Sequence, residues 1–148
     1  MPLAIGDRAP SVPGAPTDGP LALVFYKVSC PTCQLAAPKL EAFQRAYPGH
    51  VHAVGQDPDE TLSSFGREYA FTVPATSDGP PYEVSNAYRI ETVPTTFVIG
   101  GDGAVVDVVE AWDRDGLNRA SSTLAGLLGA SPTAISVISD GLPGFKPG

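Results

Sequence analysis

The chain has 148 residues, with 9 Lys and Arg against 16 Asp and Glu, a net charge of −7 and two cysteines. This length predicts one domain over residues 1–148, and the 43% hydrophobic share is ordinary for a folded chain. The acidic balance disfavours nucleic acid and anionic lipid as partners, and the longest apolar runs are strand-sized, too short to span a bilayer. Two cysteines cannot build a disulfide framework or a four-Cys zinc site, which leaves redox chemistry as their leading use.

Residues 1–20 are rich in Pro and Gly and predict an extended arm. Their start has no basic segment followed by a long apolar one, so the expected location is cytoplasmic; a chain whose leader had been removed would read the same way. Leu21 to Val28 is a nearly unbroken apolar run, the pattern of a strand buried on both faces. From Pro31 to Tyr47, Ala36, Leu40, Phe43 and Tyr47 recur at helical spacing, with Pro38 inside the helix and Pro48-Gly49 ending it.

Val51 to Gly55 predicts a second strand. Asp57-Pro58-Asp59-Glu60 then offers an N-cap, a proline at the first helical position and acids in the first turn, so a second helix should carry Leu62, Phe65 and Tyr69 on its buried stripe. Phe71 to Pro74 is expected as a short edge strand and Tyr82 to Tyr88 as a short helix. Thr95 to Ile99 and Ala104 to Val109 should pair as a hairpin around Gly100-Gly101-Asp102-Gly103. A last helix is expected from Asp115 to Leu128, stopped by Gly129, followed by a Gly/Pro-containing tail over 131–148 with no assigned role. The order implies an α/β fold, a mixed sheet with helices on both faces.

The chemistry concentrates at Cys30-Pro31-Thr32-Cys33. Cys30 falls where a buried strand meets an amphipathic helix, and Pro31 takes the first helical position, so the sulfur should sit at the helix N-terminus. Unpaired amides there favour an anion, and thiolate is the species that attacks disulfides. Cys30 is therefore the expected nucleophile and Cys33, one turn on, the resolving thiol of a redox-active Cys30-Cys33 pair. Lys27 at the end of the strand is a possible supporting charge, along with Pro31 and Thr32 between and beside the cysteines. His50 and His52 alternate at a strand edge and are read as surface residues, so no metal site and no cofactor is expected. Trp112 is read as core or rim packing.

These residues resemble the thioredoxin-like superfamily, most closely its TlpA-like and redoxin-type thiol-disulfide oxidoreductases, over most of residues 5 to 128. The carriers are Ile5-Gly6-Asp7-Arg8-Ala9-Pro10 at the opening, LVFYKVSCPTC at the motif, Pro38 five residues after Cys33, and Val93-Pro94-Thr95-Thr96-Phe97. The resemblance implies a thioredoxin-like fold in which Pro94 is cis and faces the cysteines, Val93 pairs with the substrate backbone, and Thr95 completes the binding loop. It also implies disulfide reduction, with a protein disulfide as substrate, an upstream dithiol as reductant, and a role in redox homeostasis and antioxidant defence; a monomer is the default expectation for a small acidic domain. The 64-residue separation of Cys30 and Pro94 is similar to members carrying an inserted helix-strand unit.

The sequence departs from the pattern in three places. Ser29 precedes the first cysteine where an aromatic is common, and Val24 and Ala36 stand where thioredoxins and TlpA-like members carry acids, leaving water to serve Cys33. Two rival functions fit the fold. A peroxiredoxin-like peroxidase would place Thr or Ser at position 27 and Pro at 23, where this chain has Lys27 and Leu23. A binding module without turnover would use the groove beside Pro94 but would need no resolving thiol.

Overall fold

The computed structural model describes all of residues 1–148. Leu21–Tyr26 forms β1, six residues buried on both faces, as an apolar run in the middle of a sheet must be. It pairs parallel with β2 (Val51–Gly55) and antiparallel with β4 (Thr95–Ile99). β3 (Ala75–Ser77) adds parallel to β2, and β5 (Val105–Glu110) adds antiparallel to β4, giving the order β3-β2-β1-β4-β5. The expected mixed α/β sheet is the one observed. Gly103, at φ +85°, closes the β4-β5 turn by donating to the carbonyl of Gly100.

Four helices complete the fold: α1 (Pro31–Ala46), α2 (Asp59–Tyr69), α3 (Glu83–Ala87) and α4 (Arg114–Leu128). Side chains alternate across β1, and this divides the core in two. Ala22, Val24 and Tyr26 face a cluster with Cys33, Leu40 and Phe43 of α1, Leu62 and Phe65 of α2, and Leu117 and Leu124 of α4. Leu21, Leu23 and Phe25 face the opposite side, against Phe97, Tyr88 and Leu3, so α3 and the N-terminal arm cover that face. The arm is tied down by a bridge from Arg8 to Ala104 and by the Tyr88 hydroxyl, which donates to the Pro10 carbonyl.

Pro38 lies on the exposed side of α1, where water can reach the carbonyl its missing N–H leaves free. α4 is capped by Asp113, whose carboxylate accepts from the Gly116 amide at 3.0 Å, and ends in Gly129 at φ +66°.

Three expectations need correction. The edge strand lies at Ala75–Ser77 rather than Phe71 to Pro74, because Phe71 and Val73 turn into the core and only the Pro74 carbonyl meets β2, accepting from Ala53. Pro58, not Asp57, is the N-cap of α2, and it caps without a side-chain bond; the Asp57 carboxylate is engaged elsewhere. His52 is buried, hydrogen-bonded to Thr76, and not a surface residue. Its burial holds the imidazole below its ordinary range.

The tail has a definite path. A short turn over Ile138–Asp140 leads to β7 (Phe145–Lys146), which pairs antiparallel with β6 (Trp112–Asp113).

Candidate active site

β1 delivers the chain to the start of α1, and Cys30 is the helix N-cap. Its sulfur accepts from the Cys33 amide at 3.2 Å, where capping residues normally place an oxygen. On its other side the Cys30 thiol meets the Val93 carbonyl at 3.4 Å. Both cysteines are free thiols and both are buried; Cys30 keeps 8% of its surface exposed and Cys33 only 1%. The more accessible cysteine is thus the one at the helix terminus.

Cys33 is pushed far above an ordinary thiol, first by burial, then by its hydrogen bond with Cys30 and by the charges of Cys30 and Asp57. It therefore holds its proton until something takes it. Two sulfurs of such different character, one turn apart, can form and break a disulfide with each other and with a third sulfur.

Val93, Pro94 and Thr95 come to the same place as the cysteines although they lie sixty or more residues away in sequence. The Val93–Pro94 peptide is cis, and the buried Thr95 hydroxyl donates to the Thr92 carbonyl at 2.7 Å. The Pro94 carbonyl accepts from the Ala111 amide, so β4 starts immediately beside the site. Pro31 is exposed at the first turn of α1, and Thr32 is buried, its hydroxyl donating to the Pro147 carbonyl at 2.6 Å.

Lys27 is half-exposed. Its ammonium lies 3.8 Å from the Asp57 carboxylate, donates to the Gln56 carbonyl at 3.4 Å, and sits 5.8 Å from the centre of the Tyr82 ring. The ionic partner of this side chain is Asp57, while the Lys27 backbone hydrogen-bonds the Cys33 thiol and partly offsets the upward push on it.

Asp57 is the residue that sequence reasoning missed. One carboxylate oxygen accepts from the Val28 amide at 2.9 Å, tying the loop after β2 to the strand end that carries the cysteines. Its charge acts on Cys33 and on the buried Tyr26, which is raised first by burial and then by Asp57. A carboxylate from the loop after β2 thus acts on the buried thiol, where Val24 and Ala36 supply none. The only signal was Asp57 itself, placed two residues beyond a predicted strand end, and a capping pattern with Pro58 outweighed it.

His50 and His52 do not converge on a common point: His50 bonds to the Pro20 carbonyl and His52 to Thr76. No helix of the structure is long and apolar enough to cross a membrane.

The sequence profile of the AhpC/TSA family matches residues 14–108. No curated relative matches the chain. Among solved structures, dsbF of Mycobacterium tuberculosis, determined in mixed oxidized and reduced forms, is similar at 26% identity with a TM-score of 0.61, over 72% of this chain and 81% of that one. A thiol:disulfide interchange protein from a Bacteroides species shares the fold, with a TM-score of 0.70 at 18% identity over 88% of this chain and 95% of its own. So does the thioredoxin domain of a Bacteroides vulgatus thiol-disulfide oxidoreductase, with a TM-score of 0.70 at 17% identity over 82% of this chain and 99% of that domain. The match over residues 14–108 spans β1, the two cysteines and the cis-proline loop, and on it the chain belongs to the AhpC/TSA family, as a thioredoxin-like redoxin of the thiol-disulfide oxidoreductase class.

Proposed function

We propose that the protein is a disulfide reductase in which Cys30 attacks and Cys33 resolves. The observation that carries this reading is the asymmetry of the pair: Cys30 caps α1 with its sulfur accepting an amide, while Cys33 is buried beneath it with its proton held.

The cycle conserves electrons as follows. The Cys30 thiolate attacks one sulfur of a substrate disulfide; that S–S bond breaks, and the departing sulfur leaves as a thiolate that takes a proton. Cys33 then loses its proton and attacks the Cys30 sulfur of the mixed disulfide, releasing the second substrate thiol and forming Cys30-Cys33. Two electrons pass from the dithiol to the substrate, and an upstream dithiol returns them. Val93 holds the substrate backbone beside the cis-Pro94, with Thr95 bracing that loop, and Asp57 takes the Cys33 proton. Lys27 supports the site by pairing with Asp57.

A protein disulfide is the substrate class, because Val93 presents its backbone at Cys30 just ahead of β4, where an extended chain can pair with it. Reduction as the working direction fits a cytoplasmic protein acting as a monomer in redox homeostasis and antioxidant defence. Lys27 and Leu23 stand where a peroxidase would carry a hydroxyl and a proline, so hydrogen peroxide is the control substrate.

The deciding measurement is the equilibrium potential of the pair in graded dithiothreitol buffers, counting free thiols by mass after alkylation. A value near or below roughly −220 mV is expected for a reductant, and one near about −120 mV overturns the direction. Absence of any two-thiol couple overturns the enzyme reading itself. Cys33→Ser is expected to accumulate the mixed disulfide on Cys30, and Cys30→Ser to lower exchange by about 10³-fold or more.

A further inference from the structure

The last eight residues, Gly141–Gly148, cross the groove that the proposed function assigns to substrate. Their root is fixed at Asp140, whose carboxylate accepts from the Ser136 hydroxyl at 2.5 Å and pairs with the Lys39 ammonium at 3.0 Å and the Arg114 guanidinium at 3.4 Å. Ser136, the Leu142 amide and Lys39 together hold that carboxyl well below the usual carboxylate range. Beyond the root, Arg114 donates to the Leu142 carbonyl at 2.6 Å, Trp112 donates through its indole N–H to the Pro143 carbonyl at 2.7 Å, and the Arg114 amide reaches the Gly144 carbonyl.

The segment then runs as β7 along β6 and delivers its tip to the cysteines. The Pro147 carbonyl accepts from Thr32, between Cys30 and Cys33, while Gly148 lies against the Thr92 hydroxyl and the Val93 carbonyl so closely that a Cβ on it would collide with both. Thr32 and Val93 are the two sides of the groove, and Val93 is the residue whose carbonyl meets the Cys30 thiol. The tip therefore occupies backbone that an incoming chain would need, and it does so over a nucleophile left 8% exposed.

We propose that Gly141–Gly148 is a self-docked strap that closes the substrate groove, and that it lifts from Thr32 and Val93 before a disulfide-bearing chain can reach Cys30. The strap is suited to reversible release. Its tip is held by one side-chain hydrogen bond, from Thr32 to the Pro147 carbonyl, and Phe145 and Pro147 on it are exposed, so the tip detaches without opening the core. Its root, by contrast, is held by two partly buried cations and a buried indole, which keep the freed tip close and favour its return. Access to Cys30 is then reduced by the fraction of time the strap is docked.

The proposal rests on the reading of the Val93 groove as the substrate site, and its test reads thiol access rather than turnover. Gly148→Val crowds the tip out of its place and Asp140→Asn loosens the root; each is made in the full chain. Amide hydrogen exchange over 142–148 and the alkylation rate of Cys30 by iodoacetamide in the reduced protein are measured in parallel with the wild type. The expected result is loss of strap protection in both variants with alkylation of Cys30 about tenfold faster. Protection lost without a change in alkylation overturns the proposal, as does a wild-type strap that already exchanges like an unprotected chain. Protection retained in both variants overturns the contact scheme on which it stands. A normal Cys30-Cys33 potential alongside any of these failures leaves the reductase reading intact, whereas a missing couple alongside faster alkylation separates the two in the other direction.

Discussion

Asp57 shows how a single carboxylate can act in two opposed ways on one thiol. As a charge it raises Cys33, making deprotonation harder at equilibrium, while in the proposed cycle it is also the base that gives the proton a destination at the moment Cys33 attacks. Asp57→Asn separates them by sign. If the charge alone matters, resolution of the mixed disulfide becomes faster, since the opposing charge is gone. The acceptor role instead makes it slower by about 10²-fold near neutral pH, with the loss shrinking as pH rises and hydroxide takes over. Single-turnover release of a substrate thiol, followed from pH 6 to 9, measures this directly. Cys30 and Cys33 were legible because two cysteines at that spacing between strand and helix leave few alternatives. Asp57 was not, because Asp-Pro before an acidic turn is also what a helix start looks like, and only the pairing of β1 with β2 brings it to the Val28 amide.

Among the elements, those whose apolar pattern is long enough to state its period were readable in advance: β1, α1, β2, α2, the β4-β5 hairpin and α4. Of the short pieces, the helix expected over Tyr82 to Tyr88 is found as α3, whereas the edge strand was misplaced, since three or four residues cannot distinguish a strand from a loop that happens to bury its side chains. Phe71 and Val73 illustrate this, being apolar for the core and not for pairing. α4 illustrates the opposite case. Its stripe of Leu117, Ala120 and Leu124 lies against the sheet on the same face as the cysteines, with Leu124 fully buried. Leu124→Ala is therefore expected to cost about 3 kcal/mol, read as a lowered denaturation midpoint at unchanged slope. Because the cavity opens under α4, which packs on β5, β4 and β1, and not at the N-terminus of α1, the potential of the cysteine pair should stay where it is in the same variant.

At the scale of the whole molecule, sequence composition spoke to partners and not to shape. A net charge of −7 repels acidic chains and draws basic ones at distances beyond contact. Two disulfide peptides of equal length, one carrying several Lys and the other several Glu, should thus differ in second-order rate by about tenfold in favour of the basic one at low salt. The gap should close as ionic strength rises and the Debye length falls to about 8 Å near 0.15 M; a gap unaffected by salt would place the discrimination in the groove instead. The path of the last residues was the part least open to sequence reading. A run such as Gly-Leu-Pro-Gly-Phe-Lys-Pro-Gly announces the absence of a helix but carries no periodicity to say which surface it crosses.

Trp112 gives the chain an optical handle of its own. It is the single tryptophan, 1% exposed, packed in the cluster that contains both cysteines, with its indole N–H bound to the Pro143 carbonyl at 2.7 Å. Indole emission responds to the polarity around the ring and to nearby sulfur. One unlabelled fluorophore therefore sits where the sulfur chemistry and the anchoring of the last residues meet, and stopped-flow emission can time both events in the native chain.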